Sequence, residues 1–125
     1  MLVVFAAGCW PVLAADPGEP IRVGALYNLT GQMSSIDLPG YRGVELAVDL
    51  INAGGGLLGG RKVELFCIDT RSDPEGVAEQ AHRILEKNPI AGIGYGDTTY
   101  VTAAVPVFAK KDVLFITSGA TDPDL

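Results

Sequence analysis

The sequence predicts an α/β fold in which a parallel sheet carries helices on both faces. Four short apolar segments alternate with stretches of helical periodicity, which is the order expected of consecutive strand–helix–strand units. The apolar segments contain few polar residues, as strands buried on both faces do. Loops rich in glycine and hydroxyl side chains follow the first, third and fourth segments. In a parallel sheet such loops gather at one edge, where small ligands bind.

The first half of the chain contains two predicted strands and the helix between them. Residues 21–27 form the first strand and residues 62–68 the second. Residues 40–52 form the first helix, which Gly54 ends in a left-handed conformation. This helix has apolar residues at positions i, i+3, i+4 and i+7, which predict one buried stripe. The stripe consists of Val44, Ala47, Val48 and Ile51.

The second half repeats the pattern with two further strands, at residues 90–93 and 113–116. Asp73 is expected to cap the second helix, with Pro74 in its first position. The third helix begins near Thr98 and is expected to kink at Pro106. The predicted buried faces of these helices are Val77, Ala78, Ala81, Ile84 and Leu85 in the second, and Val101, Ala104, Val105 and Phe108 in the third.

Composition limits the class of protein. The chain has 125 residues, of which 48% are hydrophobic and 19% charged, so it can build a core as one small domain or as part of a larger one. Its formal net charge is −6. Binding to nucleic acid is therefore not expected, because contacts with phosphates need clusters of Lys and Arg.

The N-terminal segment differs in composition from the rest. Residues 1–15 are apolar and end in small residues suited to signal-peptidase cleavage, so we interpret them as a signal peptide, with residues 16–20 as the linker of a secreted or periplasmic protein. Lipoprotein anchoring through Cys9 is the less favoured interpretation, because the apolar run before it is short. After cleavage only Cys67 remains, and we expect it to be buried as a small hydrophobic residue.

The motifs of enzymes and cofactors are weak in this chain. Gly92, Gly94 and Gly96 lack the spacing and the position of a dinucleotide-binding motif. The glycines at 55–60 follow a helix, and no Ser or Thr follows Lys62, so they do not form a P-loop. His82 is the only histidine and is expected to be a solvated helix residue. We therefore predict no catalytic residues, no metal site and no cofactor.

An ordered set of short segments resembles a known family. The set is I-R-V-G at 21–24 leading to L-T-G at 29–31, G-V-E-L-A-V at 43–48 before I-N-A-G-G at 51–55, L-G-G-R-K-V at 58–63, D-P at 73–74, A-A-V-P-V at 103–107 and I-T-S-G-A-T at 116–121. It resembles the extracytoplasmic solute-binding proteins of the branched-chain amino-acid (Leu/Ile/Val-binding) ABC transporter family, with the type I periplasmic-binding fold. Those proteins have two lobes joined by a hinge and are about three times as long. The resemblance implies that residues 21–125 are a partial N-terminal lobe and the front part of a longer protein.

The resemblance also implies roles for residues in the loop after the third strand. In that family this loop presents a hydroxyl and backbone N–H groups to a ligand carboxylate at a helix N-terminus. The matching residues are Gly96, Asp97, Thr98 and Thr99, with Thr98 the best side-chain candidate. A helix N-terminus does favour an anion, because it has unpaired N–H donors and the positive end of the dipole. We expect Asp97 to cap the helix, since its charge would otherwise repel a ligand anion.

Two other loops receive roles from the same resemblance. Ser118, Gly119 and Thr121 match positions that give a carbonyl and a hydroxyl to a ligand ammonium group. The first loop, with Leu29, Thr30 and Gln32, is expected to close over the ligand. The simpler alternative is that these hydroxyls only cap helices and turns, as Ser and Thr often do.

The function implied by the resemblance is that of a binding protein and not an enzyme. Such a protein captures an amino acid, an amide or an aromatic acid between its two lobes and delivers it to the permease of an ABC importer. The alternative from another class is a sensor domain that reports an amino acid, amide or urea to a receptor or regulator. An enzyme of flavodoxin-like architecture is a third possibility, with little support in the first loop.

Overall fold

The structure is a computed structural model that describes residues 18–125. The predicted signal peptide and Cys9 lie outside the described residues. The elements follow in the order β1 (Ile21–Tyr27), α1 (Ser34–Ala53), β2 (Val63–Asp69), α2 (Val77–Leu85), β3 (Ala91–Gly94), α3 (Thr98–Ala109) and β4 (Leu114–Thr117). The alternation of strand and helix predicted from the sequence is confirmed. None of the helices in this part of the chain is long and apolar enough to cross a membrane.

The four strands form one parallel sheet with the order β2-β1-β3-β4. β1 is an inner strand: Ile21 pairs with Val63 at the start of β2, and Leu26 pairs with Gly94 at the end of β3. The last four residues of β1 are buried, as expected of a strand covered on both faces. All strands end at the same edge, which we call the carboxyl edge.

Helices lie on both faces of the sheet, which confirms the predicted fold class. α1 contacts β1 and β2 on one face, where the ring of Tyr27 packs against that of Tyr41. α2 and α3 pack against each other and enclose the main core on the other face. The fully buried members of this core include Leu26, Val77, Ala81, Tyr95, Ala104 and Phe108.

Two glycines let the helices of the second face lie close to the strands. A Cβ atom on Gly24 would lie 2.2 Å from Cγ2 of Ile84 in α2. A Cβ atom on Gly92 would lie 2.5 Å from the ring of Phe108 in α3. Ile84 and Phe108 therefore occupy the space that side chains at positions 24 and 92 would otherwise fill, and both helices pack directly against the strand backbone.

The first helix differs from its prediction at both ends. It begins at Ser34, six residues before the predicted start, and contains Pro39 within its second turn. Gly54 has a φ of −72° and is not left-handed, whereas Gly55 and Gly56 have φ values of 107° and 87°. A proline near the start of a helix removes only one N–H donor. Residues 34–39, which were predicted to precede the helix, are therefore able to form its first turns.

The other helices show smaller differences. α2 begins at Val77, because Asp73 instead accepts a hydrogen bond from the N–H of Glu75 in a turn before the helix. β2, β3 and β4 each begin one residue later than predicted. α3 remains continuous through Pro106. Three residues predicted to be buried are exposed: Ala47, Ala78 and Val105.

The exposure of Ala47 has a structural cause. α1 covers β1 and β2, and no described element covers β3 and β4 on the same face. Leu46 and Leu50 of α1 are therefore 59% and 63% exposed, and Leu114 of β4 is 64% exposed. The predicted stripe is only half-buried at Val44, Val48 and Ile51.

Candidate functional site

The carboxyl edge brings together the three loops that were predicted to bind a ligand. They follow β1, β3 and β4, which are adjacent in the sheet. The chain leaves β1 toward β2 on one side and later places β3 on the other side, so the connections diverge between β1 and β3. In open α/β sheets the crevice at such a switch point is the usual place for a ligand.

A buried carboxylate lies across this crevice, and the sequence analysis missed it. Asp37, in the first turn of α1, is 1% exposed. Its Oδ2 accepts hydrogen bonds from the backbone N and from Nδ2 of Asn28, at 2.9 and 2.8 Å. Its Oδ1 accepts one from the backbone N of Gly96, at 2.8 Å. Asp37 therefore joins the loop after β1 to the loop after β3.

Asn28 extends this network to the loop after β2. It is fully buried, and its Oδ1 accepts hydrogen bonds from Oγ1 of Thr70 at 2.7 Å and from the backbone N of Ser72 at 2.9 Å. Oγ of Ser72 accepts a bond from the N of Met33 and donates one to the carbonyl of Thr30. Neutral side chains and one carboxylate thus tie three loops of the carboxyl edge together.

Asp69, at the end of β2, holds the outer part of the first loop. Its Oδ1 accepts bonds from the N–H groups of Leu29, Thr30 and Arg71, and its Oδ2 accepts one from the Thr30 hydroxyl at 2.8 Å. Burial alone would raise the pKa of the Asp69 carboxyl. The hydrogen bonds from Thr30, Arg71 and Leu29 outweigh that effect and hold the pKa below its ordinary value of 3.8.

This lowered pKa predicts how stability depends on pH. Asp69→Asn is expected to lower the free energy of unfolding at pH 7 by about 1–2 kcal/mol, because an amide cannot accept all four bonds. A carboxyl whose folded pKa is depressed stabilises the fold above its unfolded pKa, and this contribution is lost as the pH falls through the folded value. The difference in the free energy of unfolding between variant and wild type should therefore shrink below about pH 4. Urea unfolding from pH 7 to pH 3 measures it, with the exposed Asp49→Asn as control. A gap that is constant over this range would contradict the assignment.

The loop after β3 forms a strained turn that leads directly into α3. Tyr95 is fully buried and has a φ of 49°, a backbone conformation that residues other than glycine rarely adopt. Burial raises the pKa of its hydroxyl well above the usual range. Asp97 is the N-cap of α3, and its Oδ1 accepts a bond from the N of Thr99 at 2.9 Å, which confirms the predicted capping role. Thr98, the first helical residue, is half-buried, and its hydroxyl has no hydrogen-bond partner in the described part of the chain.

The loop after β4 packs against this turn. Oγ1 of Thr117 donates to the carbonyl of Tyr95 at 2.9 Å, and the N of Ser118 donates to the same carbonyl at 3.1 Å. A Cβ atom on Gly119 would lie 3.3 Å from Cα of Gly96, so these two loops are in contact. Thr117 also accepts a bond from the N of Ala120 at 3.1 Å, which orders the loop before Thr121.

The predicted site residues thus lie on one edge, with different surroundings. Gly96 adjoins Gly119, whereas the hydroxyl of Thr30 is bonded to Asp69. Thr30, Gln32, Ser118, Gly119 and Thr121 are exposed. The N–H of Gly96 is bonded to Asp37, so this group is not available to a ligand. Whether these residues bind a ligand stays a prediction.

Other parts of the described structure show little that resembles a reactive centre. A cavity of about 460 Å³ lies at the opposite edge, lined by His82, Glu86, Lys111 and neighbouring residues. Cys67 was predicted to be buried, but it is only half-buried. Its partial burial still raises the pKa of its thiol to about 11. Among residues 18–125, no three His, Cys, Asp or Glu side chains are grouped as metal ligands would be.

Comparison with known proteins identifies the family. The profile of a family described as periplasmic binding protein matches residues 20–125. The chain belongs to this family. Its relatives include the Leu/Ile/Val-binding protein homolog 3 of Brucella melitensis, which is 30% identical over 105 residues that cover 84% of this chain and 28% of that protein. The Leu/Ile/Val-binding protein of Escherichia coli K12 is 27% identical over 121 residues, covering 95% of this chain and 33% of that protein.

Solved structures of this family share the fold. The branched-chain amino acid transporter substrate binding protein LivJ of Streptococcus pneumoniae, in complex with isoleucine, matches with a TM-score of 0.79 and 27% identity. That match covers 83% of this chain and 30% of LivJ. An ABC transporter substrate-binding protein of Desulfitobacterium hafniense, in complex with Leu, matches with a TM-score of 0.70 and 26% identity over 86% of this chain and 30% of its own.

The comparison confirms the resemblance derived from the sequence. The two relatives named above are Leu/Ile/Val-binding proteins, and the two structural neighbours named above hold isoleucine and leucine. Another neighbour, a solute binding protein of an ABC transporter from Rhodopseudomonas palustris, is in complex with 3,4-dihydroxy benzoic acid. The chain spans about a third or less of the length of these relatives, 28% of the Brucella protein and 33% of the Escherichia coli protein.

Proposed function

We propose that this chain supplies one half of the solute site in the substrate-binding component of an ABC importer, and that the solute is a branched-chain amino acid. The observation that carries the proposal is the Thr98 hydroxyl at the start of α3, where the N–H of Thr99 is already capped by Asp97. The Thr98 hydroxyl has no partner among the described residues, and the first N–H groups of a helix have none within the helix. Gly96, two residues before Thr98, is in contact with Gly119 of the loop after β4.

The chemistry of this group suits the two charged ends of an amino acid. N–H donors and a hydroxyl at a helix N-terminus favour a carboxylate. The exposed hydroxyl of Thr121 and the carbonyl groups near Gly119 suit an ammonium group, which has three donors and no acceptor. Asp97 does not oppose this, because its carboxylate already accepts the N–H of Thr99 as a cap. A zwitterion can therefore lie across the two loops with each end near groups of opposite character.

The proposed domain organisation and mechanism follow from the family. Residues 1–15 act as a signal peptide and residues 16–20 as a linker, so that the protein works outside the cytoplasm. Residues 21–125 form part of the first lobe, and the ligand closes this lobe against a second one. Closure shifts the population to a form that the membrane permease recognises. This role is binding without catalysis and needs no cofactor.

Two alanine variants test the role of the hydroxyl groups. In the complete gene product, Thr98→Ala and Thr121→Ala are each expected to weaken isoleucine binding by about 1–3 kcal/mol, because each leaves a ligand group unpaired in a closed site. The matched control is Thr102→Ala, in the next turn of α3, where the hydroxyl donates to the carbonyl of Thr99. Calorimetric titration measures the affinities.

The same titration distinguishes the solute classes. Isoleucine, leucine, a short-chain amide and an aromatic acid are each added to the wild-type protein. Binding of the branched-chain amino acids alone supports the proposal, and preferential binding of the amide or the aromatic acid would change the solute class. Affinity for isoleucine that is equal in the wild type, Thr98→Ala and Thr121→Ala would show that both hydroxyls only shape their loops.

A further inference from the structure

The Asp37 carboxylate is buried and accepts its hydrogen bonds from neutral donors. Its Oδ2 accepts two hydrogen bonds from Asn28, and its Oδ1 accepts one from the N of Gly96, all within 2.9 Å. A carboxylate that is 1% exposed is costly unless such bonds compensate for the lost water. Its three donors come from two different loops, so the bonds also determine how those loops lie relative to each other.

The turn that Asp37 contacts is one that would not persist by itself. Tyr95 has a φ of 49° and is fully buried, and strained residues of this kind persist only where the surroundings hold them. Gly96 is held by Asp37 on one side. The carbonyl of Tyr95 is held by the N of Ser118 and by Oγ1 of Thr117 on the other side.

This turn determines where α3 begins. Gly96 is followed by the N-cap Asp97 and then by Thr98, the first residue of the helix. The Gly96 N–H belongs to the Tyr95–Gly96 peptide, so a change in its direction would rotate this peptide and redirect the chain that leads to Asp97. The Thr98 hydroxyl and the first N–H groups of α3 would then point in another direction.

We propose that Asp37 is a positioning residue of the ligand site, whose carboxylate holds the Gly96 N–H and thereby the strained Tyr95–Gly96 turn, so that Thr98 and the N-terminus of α3 face the solute. The inference rests on the proposed function and adds a residue that does not itself touch the ligand. Asp37 acts on affinity through the fraction of molecules whose turn is competent to bind. If that fraction falls to about a tenth, the apparent affinity falls about tenfold.

The test replaces one carboxylate oxygen with a donor. In Asp37→Asn of the complete gene product, the amide NH₂ must face either Asn28 or Gly96, and both present N–H groups. We expect isoleucine affinity to fall about tenfold or more. We also expect the amide hydrogen of Gly96 to exchange faster with solvent. Asp49→Asn makes the same chemical change on the exposed side of the same helix and should alter neither quantity.

A double variant separates positioning from general loss of stability. In Asn28→Asp/Asp37→Asn the amide and the carboxylate trade places. The new carboxylate at position 28 can accept from Thr70, from Ser72 and from the amide at position 37, while the oxygen at position 37 again accepts from Gly96. Only the backbone N–H of residue 28 loses its acceptor. We expect this variant to recover slow exchange at Gly96 and most of the affinity that Asp37→Asn loses.

The outcomes are distinguishable. Loss of affinity with faster Gly96 exchange in the single variant, and recovery of both in the double variant, support the proposal. Unchanged affinity in Asp37→Asn, or recovery of Gly96 protection without recovery of affinity, would overturn it while leaving the proposed function intact. A wild-type protein that binds none of the solutes would instead refute the proposed function, and the role of Asp37 in binding with it.

Discussion

Gly94→Ala is expected to lower the free energy of unfolding by about 3 kcal/mol or more, since overpacking against the backbone cannot be relieved by a side-chain rotation. An added Cβ would lie 2.1 Å from the carbonyl oxygen of Leu26 and 3.3 Å from the ring of Phe115. Leu26 is the residue of β1 that pairs with Gly94, so the two central strands would have to separate where the ligand loops begin. Urea unfolding followed by circular dichroism measures the loss.

The matched control is the same substitution in open space. A Cβ on Gly43, in the middle of α1, meets no atom within 4 Å. Gly43→Ala should therefore stabilise the fold by about 0.5–1 kcal/mol, because alanine has the higher helix propensity. Similar stabilities for the two variants would show that β1 and β3 are not packed as closely as described.

Asn28→Ala is expected to lower the free energy of unfolding by about 2–4 kcal/mol, because it removes three hydrogen bonds of the buried network. The Asp37 carboxylate loses one donor. Oγ1 of Thr70 and the N of Ser72 lose the acceptor that both use. Thermal and urea unfolding at pH 7 measure the effect.

Gln80→Ala is the control for Asn28→Ala. The Gln80 amide makes a single surface hydrogen bond, with Arg83 at 3.2 Å. Its loss should change the stability by no more than about 0.5 kcal/mol. An Asn28→Ala variant as stable as this control would mean that water replaces the amide, and the network would then not hold the loops as described.

Much of the fold is predictable because its signals are local. The apolar runs of β1 and β2 are visible in the sequence, and Asp97 next to two threonines marks the start of α3, where the structure has it. The extent of burial is less predictable. Ala47 belongs to the apolar stripe of α1 that was predicted to be buried, but it is exposed. Its burial would need another element beside α1 over β3 and β4, and the periodicity of one helix does not reveal whether such an element is present.

The central residue of the site is not predictable, because its partners are distant in sequence. Asp37 bonds Asn28, nine residues away, and Gly96, 59 residues away. It also lies before the predicted helix start at Gly40, in a segment for which the sequence predicts no role. The one local signal is a lone acidic residue among neutral ones between Asn28 and Tyr41. The strain at Tyr95 likewise arises from bonds to other loops and leaves no pattern in the sequence.

Locating the ligand on the chain tests the proposed site most directly. Amide ¹H–¹⁵N spectra of the complete gene product are recorded during titration with isoleucine. If the solute binds as proposed, the largest shifts within residues 18–125 occur at Thr98, Thr99, Gly119 and Thr121. Shifts confined to the residues around His82 and Lys111 at the opposite edge, or no shift in the loops after β3 and β4, would contradict it.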